Sequence, residues 1–372
     1  MQFNIQRDKM LRALRVISGG VDKKNTLSFP VLSGVQLSVT PGLLTLVTTD
    51  QDLEIKTEVP LEGEITPGKW VICFRKLIDI CRAMPEDGTL LFTQAPDQDK
   101  ITIDSGRSHY ALGMLSADQF PRFKRDMPIA SFSADKKAFR QFLESACFAI
   151  ADQDVRLYLN GLLLEVNGST LHAVASDGHR LALSTLPLPS MPTHLEPFRI
   201  LLPKKAVLEC LRLLDSAEDN ITFDVGSRYF CLTAGPHQLT SRLLEAKFPE
   251  YRRLIPEGQL TMRVDRQRLK EAFNRVAALF SDRFRAVRLK LTQHRLVLTA
   301  ATPEADQVEE DIDVEYDGSP LEIVFNIKYV LDCLQAISHQ SVKFLFSGLN
   351  SSARLQGEGA NDSIYVIMPM KD

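Results

Sequence analysis

Residues 176–180 read Ser-Asp-Gly-His-Arg, which places a hydroxyl, a carboxylate and an imidazole within a few positions. These are the groups of a nucleophilic triad. Triads, however, are assembled in space from separated segments, so adjacency is poor evidence for one. The Asp177-Gly178 pair reads instead as a turn that delivers His179 and Arg180 to the start of the next strand, as a recognition lip or a structural corner. Asp50 and Asp52 form an Asp-x-Asp pair, and Glu309, Glu310, Asp311 and Asp313 form an acidic run. Paired carboxylates can hold magnesium, and the enzyme they would imply is a metal-dependent nuclease. More often such groups cap turns or face water. The chain has no Gly-rich phosphate loop and no HExxH, and its seven histidines are scattered. The expectation is therefore no catalytic residue, no metal site and no cofactor.

The elements that must position these groups occur three times. Segments opening at Phe3, Phe132 and Met262 each lead into helical apolar spacing: Met10, Leu11, Leu14 and Ile17; Phe139, Phe142, Leu143 and Ala146; Leu269, Ala272, Phe273 and Val276. A period of about 130 residues is a domain and not a solenoid repeat. Hairpins follow in each copy, around Pro41-Gly42, Asn167-Gly168 and Gln293-His294, between runs of alternating apolar residues. A second helix is predicted over 74–84, 202–214 and 326–337, with Cys81, Cys210 and Cys333 at one shared position, which reads as core. Further strands follow each second helix. Residues 120–128 (FPRFKRDMP) and 248–256 (FPEYRRLIP) are matching connectors, short and free of glycine and serine. The predicted class is α+β, with two helices covering an antiparallel sheet in each of three domains, 1–125, 129–250 and 257–372.

The chain has 372 residues and a formal charge of -3. The six helical segments together carry +10, and five of the six are net positive, which leaves -13 elsewhere. A positive helical layer on an otherwise negative protein suits a polyanion contacted by the helices alone. Six cysteines without a CxxC pair read as free thiols in a reducing compartment. The opening residues lack a signal-peptide pattern and no apolar run reaches a membrane span, so a cytoplasmic protein is expected. The stretch Met368-Pro369-Met370 after the last strand reads as the edge of a peptide groove or as a docked terminus.

Taken together, NTLSFPVLSG (25–34), DVRLYLNGLLLEV (154–166), SDGHRLA (176–182), the 248–256 connector, FRAVRL (284–289) and YVIMPM (365–370) resemble the bacterial sliding clamps, the beta subunits of DNA polymerase III, over essentially the whole length. The resemblance implies three similar domains per chain. It also implies a homodimeric ring around duplex DNA, without enzymatic activity, that tethers the polymerase III catalytic subunit, the clamp loader, other polymerases and repair proteins through short linear peptides. It places the peptide pocket at Leu159, Ser176, Gly178, His179, Arg180, Leu181, Pro249, Leu254, Val366, Met368, Pro369 and Met370. Its DNA contacts fall at Lys24, Arg75, Gln153 and Lys204. Lys24 and Lys204 stand where the family has arginine, and the Lys371-Asp372 ending departs from the family's arginine–leucine. Opposite charges suggest a head-to-tail dimer between Lys100, Arg107 and His109 on one edge and Glu304, Glu309 and Glu310 on another, with Tyr110 and Leu279 as its apolar part.

Overall fold

The computed structural model describes residues 1–22, 29–94, 99–188, 197–216, 220–280, 285–302, 305–348, 351–359 and 363–370. The first repeat contains β1 (Gln2–Gln6), α1 (Arg7–Ile17), β2 (Gly34–Thr40), β3 (Leu43–Thr49), β4 (Leu53–Pro60), β5 (Gly68–Cys73), α2 (Phe74–Ala83), β6 (Thr89–Thr93), β7 (Lys100–Ser105) and β8 (Ser108–Leu115). The second has β9 (Ala130–Asp135), α3 (Lys136–Cys147), β10 (Gly161–Asn167), β11 (Thr170–Ser176), β12 (Arg180–Pro187), β13 (Phe198–Pro203), α4 (Lys204–Leu214), β14 (Asn220–Val225), β15 (Tyr229–Ala234) and β16 (His237–Arg242). The third has β17 (Leu260–Asp265), α5 (Arg266–Ala277), β18 (Ala286–Thr292), β19 (Arg295–Ala301), β20 (Gln307–Asp313), β21 (Leu321–Asn326), α6 (Ile327–Ala336), β22 (Ser341–Phe346), β23 (Ala353–Gly357) and β24 (Ile364–Ile367).

The order of elements is the same three times. The expected first helices, hairpins and second helices all form, and Cys81, Cys210 and Cys333 are buried at matching positions. The hairpin turns need a left-handed residue, supplied by Gly42 (φ 79°), Gly168 (φ 58°) and His294 (φ 58°). Residues at one register of the opening strands anchor each core. Phe3 pairs with Phe92 and Phe132 with Phe223 as stacked rings, while Met262 faces Phe344.

Two compact units result: Met1–Lys137 with Leu208–Leu243, and Ala138–Val207 with Leu244–Asp372. The first unit holds one twelve-stranded sheet, ordered β1-β6-β7-β8-β5-β2-β3-β4-β16-β15-β14-β9. The second holds an eight-stranded sheet, β13-β10-β11-β12-β24-β23-β22-β17, and a four-stranded one, β20-β19-β18-β21. Each repeat thus splits its strands into two groups of four, and sheets are continued from one repeat into the next. β4 pairs with β16 through Leu53–Thr57, and β12 pairs with β24 through Arg180–Leu183. Sequence pattern did not identify β4, β20, or the strands that precede the second helices. The acidic run 309–313 proves to lie on β20, where Glu309, Asp311 and Asp313 share one face and Glu310 lies on the other.

Candidate functional site

The Ser176–Arg180 segment forms a tightly bonded corner. Asp177 Oδ1 accepts the backbone N–H groups of His179 and Arg180, both at 3.0 Å. Ser176 Oγ accepts the Gly178 N–H at 3.1 Å and donates to the Arg180 carbonyl at 2.7 Å. Gly178 adopts φ 88°, a left-handed conformation that favours glycine, with Arg156 Nη2 close by. Arg156 in turn holds the Asp154 carboxyl down to about 2.

Arg180 is drawn inward, with its side chain only 7% exposed. Nη1 donates to Asp332 Oδ2 at 2.6 Å, Nε to Asp177 Oδ2 at 3.0 Å and Nη2 to the Phe148 carbonyl at 3.0 Å. Its guanidinium lies 4.5 Å above the Tyr329 ring and 5.1 Å from that of Phe148. These bonds lock the corner. The exposed His179 ring, stacked on Tyr329 at 6.2 Å, is the polar group left at the surface.

The corner fixes the terminal segment beside it. Leu181 and Val366 are direct partners across β12 and β24, so they share a sheet face. The chain continues with the Met368 N–H on the His179 carbonyl (2.9 Å) and the Met370 N–H on the Val324 carbonyl (2.8 Å). Leu181 and Val366 form one buried cluster with Val174, Phe248 and Tyr251, so the connector packs over this face, while Leu159 is separately buried. The Tyr251 hydroxyl and Arg252 Nη2 each donate to Glu165 Oε2 at 2.6 Å, and Arg199 Nε reaches Oε1 at 2.6 Å. Those bonds outweigh burial and hold the Glu165 carboxyl below the usual range, while burial and this carboxylate push the Tyr251 hydroxyl up. Above the apolar floor, Leu254, Met368 and Met370 remain 43%, 41% and 36% exposed, with Pro249 exposed and Pro369 half-buried. Buried apolar groups below and exposed ones above give this corner an apolar surface with few polar groups. Pattern reading overlooked Tyr329, Phe148 and Asp332. Asp332 also accepts Lys328 Nζ at 2.7 Å.

Of the expected DNA contacts, Lys24 lies outside the described residues. Arg75 stands on α2 with its side chain 92% exposed. Gln153 and Lys204 come together in the second unit. Gln153 sits in a left-handed turn (φ 55°), and Lys204 Nζ reaches the Ala151 carbonyl and Asp152 Oδ1, both at 3.4 Å. Lys9, Arg12 and Arg15 add exposed charge along α1.

Of the expected dimer residues, Lys100 opens β7, Arg107 lies in the turn to β8, and His109 and Tyr110 lie on β8, where His109 Nδ1 is 2.7 Å from Asp104 Oδ1. Leu279 follows α5 and is half-buried, and Glu304 lies outside the described residues. Glu309 is exposed on β20, while Glu310 takes a two-pronged contact from Arg275 at 3.0 Å. Asp50 is a turn cap: its Oδ1 accepts the Asp52 and Leu53 N–H groups at 3.1 and 2.7 Å. No cluster of three potential metal ligands occurs among the described residues.

Three consecutive stretches match the domains of the DNA polymerase III beta subunit: the N-terminal domain over residues 1–124, the central domain over 133–250 and the C-terminal domain over 252–371. The beta sliding clamp of Pseudomonas aeruginosa is 40% identical, with the whole of each chain covered. A crystal structure of the Pseudomonas aeruginosa DnaN sliding clamp bound to griselimycin is 38% identical with a TM-score of 0.94, and a DNA polymerase sliding clamp from Caulobacter crescentus is 31% identical with a TM-score of 0.91. In both cases all of each chain is covered. Three repeats of one α+β domain and an acidic chain with basic helices thus agree with similarity over the full length: the chain belongs to the DNA polymerase III beta subunit family, the beta sliding clamps.

Proposed function

We propose that two copies close head to tail into a ring around duplex DNA, where the protein acts without catalysis as a processivity factor in the cytoplasm. The observation that carries this reading is the pairing rule between repeats. The outer strand of one repeat's first hairpin group pairs with the last strand of the next repeat, as β4 with β16 and β12 with β24. Applied once more, the rule pairs β20 of the third repeat with β8 of the first repeat of a second chain. Among the described residues, β20 pairs only with β19, and β8 pairs with β5 only at residues 114–115, so both edges are open. Two different surfaces in contact close a ring when the rotation closes. Lys100, Arg107 and His109 would face Glu304, Glu309 and Glu310, with Tyr110 and Leu279 as the apolar part.

In this reading the domains are 1–125, 129–250 and 257–372. Arg75, Gln153, Lys204 and Lys24 touch phosphates without reading bases. The slot at Leu181 and Val366 takes linear peptides from the polymerase III catalytic subunit, the clamp loader, other polymerases and repair proteins. The griselimycin complex of the Pseudomonas aeruginosa relative supports a ligand-binding role for such a protein. Among the described residues no helix is long and apolar enough to cross a membrane. The decisive experiment loads the protein onto circular duplex with a clamp loader and then cuts the circle. Retention on the circle and release from the cut form are expected. Equal retention on both would mean ordinary electrostatic binding and overturn the ring.

A further inference from the structure

The apolar slot has a counterpart in the first unit, built on the same backbone but with different chemistry. Asp50 Oδ1 caps the turn before β4 as Asp177 Oδ1 caps the turn before β12. Gln51 takes the left-handed position of Gly178, with φ 78° against 88°. The Arg242 N–H donates to the Asp52 carbonyl at 2.8 Å, as the Met368 N–H does to the His179 carbonyl. By register, Glu54 with Thr240 stands where Leu181 with Val366 forms the slot's floor. In the connectors, Asp126 stands in place of Leu254. At these three positions charged or polar groups replace apolar ones, while Val47, Val71 and Phe120 keep a smaller apolar cluster in this unit.

The result is a cleft of about 560 Å³ whose lining includes Arg122, Lys124, Arg125, Arg228 and Arg242 against one acid, Asp126. Arg122 is held by the buried Glu54 at 3.0 Å, Arg125 Nη1 donates to Cys231 Sγ at 3.0 Å, and Arg242 Nε donates to the Gln51 carbonyl at 3.0 Å. The side chains of Lys124 and Arg228 make no hydrogen bond or ion pair with the described residues, while the Arg228 carbonyl accepts the Leu243 N–H at 3.0 Å. Phe123 and Tyr229, edge to face at 6.3 Å, give the cleft an aromatic wall.

We propose that this cleft is a second docking site, which takes an acidic linear segment of a partner protein carrying an apolar side chain beside its carboxylates. Excess cationic charge in a concave site selects an anion, and the aromatic wall gives an apolar side chain somewhere to pack. Encircled duplex does not fit. Thr48 on β3 bonds the end of α1 and pairs with Ile55, whereas Glu54 projects from the other face toward Arg122. The cleft therefore lies on the sheet face away from α1 and its exposed basic residues. The site stands independently of whether the slot at Leu181 binds peptide.

The test is fluorescence anisotropy of the full chain with a short labelled peptide of glutamate and serine around one leucine–phenylalanine pair. Binding that weakens with salt is expected, with a loss of about tenfold on the double substitution Lys124→Glu, Arg228→Glu. Unchanged thermal unfolding certifies that variant, and Lys124→Ala with Arg228→Ala replaces it should the reversal fail to fold. Absence of binding, or equal binding by the double variant, overturns the site. Loss of the same peptide on deleting residues 368–372 would move the binding to the apolar slot and overturn it as well. Equal affinity for single-stranded oligothymidine of matched charge, lost with the same substitutions, would make the cleft a nucleic-acid site and overturn the peptide assignment.

Discussion

Arg180 Nη1 lies 2.6 Å from Asp332 Oδ2 and ties the first residue of β12 to α6, while the guanidinium is covered by the Tyr329 ring. A charge removed from water in this way is costly to leave without its partner. Arg180→Ala is therefore expected to lower unfolding free energy by about 3–5 kcal/mol, and Asp332→Ala by less, because Asp177 still pairs with Arg180. Urea titration measures this, and the double variant should cost well under the sum of the singles. Additive losses would contradict a direct pairing.

Glu165 links the connector to β10, and its carboxyl is held low by bonds from Tyr251, Arg252 and Arg199 despite its burial. A depressed carboxyl stabilises the fold at pH values above its unfolded value, about 4.3 for glutamate, and loses that contribution as pH falls through the lower native value. Wild type should thus lose more stability between pH 7 and pH 3 than Glu165→Gln. Parallel slopes for the two proteins in urea unfolding across this range would show that Glu165 carries no such linkage.

The terminal segment contributes two exposed methionines beside Leu181 and Val366, in the proposed peptide slot, while its backbone is pinned to His179 and Val324. Deleting residues 368–372 should weaken a polymerase-derived peptide by about 2 kcal/mol or more, roughly thirtyfold. Sedimentation of the truncated protein should still show about twice the 41.7 kDa chain mass. Calorimetry that finds the peptide affinity intact, with only the melting temperature lowered, would reduce the segment to a docked terminus.

Arg107 in the turn before β8 and Lys100 on the neighbouring β7 are opposite in charge to the acids of β20, so reversing both to glutamate should weaken the dimer by about tenfold for each close pair lost. Sedimentation equilibrium over a dilution series reads this directly. A monomer at micromolar wild-type concentration would refute the edge pairing altogether.

Burial pushes the Cys81 thiol up to about 12 and raises those of Cys210 and Cys333 as well. At pH 8 these three should react with a disulfide reagent only as fast as the protein opens, and at once in denaturant. Prompt modification of Cys333 in the native protein would contradict the packing of α6.

The three repeats, their helices and their hairpins were legible in the sequence because those signals are local. Apolar spacing at Met10, Leu14 and Ile17, alternation along 286–292 and turn pairs such as Asn167-Gly168 act within a few residues of themselves. The shared position of Cys81, Cys210 and Cys333 needed only the repeat to be read as core. The slot's residues came from family resemblance, since no local pattern links Leu181 to Met368. Pairing of β12 with β24 joins residues far apart in the chain and depends on which strand edges meet, which only tertiary structure decides. Folding likewise committed Arg180 to Asp332 and Asp50 to its own turn, because a charged side chain takes whichever partner the packed chain brings within reach. The cationic cleft is the clearest case. Its five basic residues come from three segments, the connector at 122–125, Arg228 and Arg242, and what unites them is a backbone corner like the one beside Leu181 and Val366.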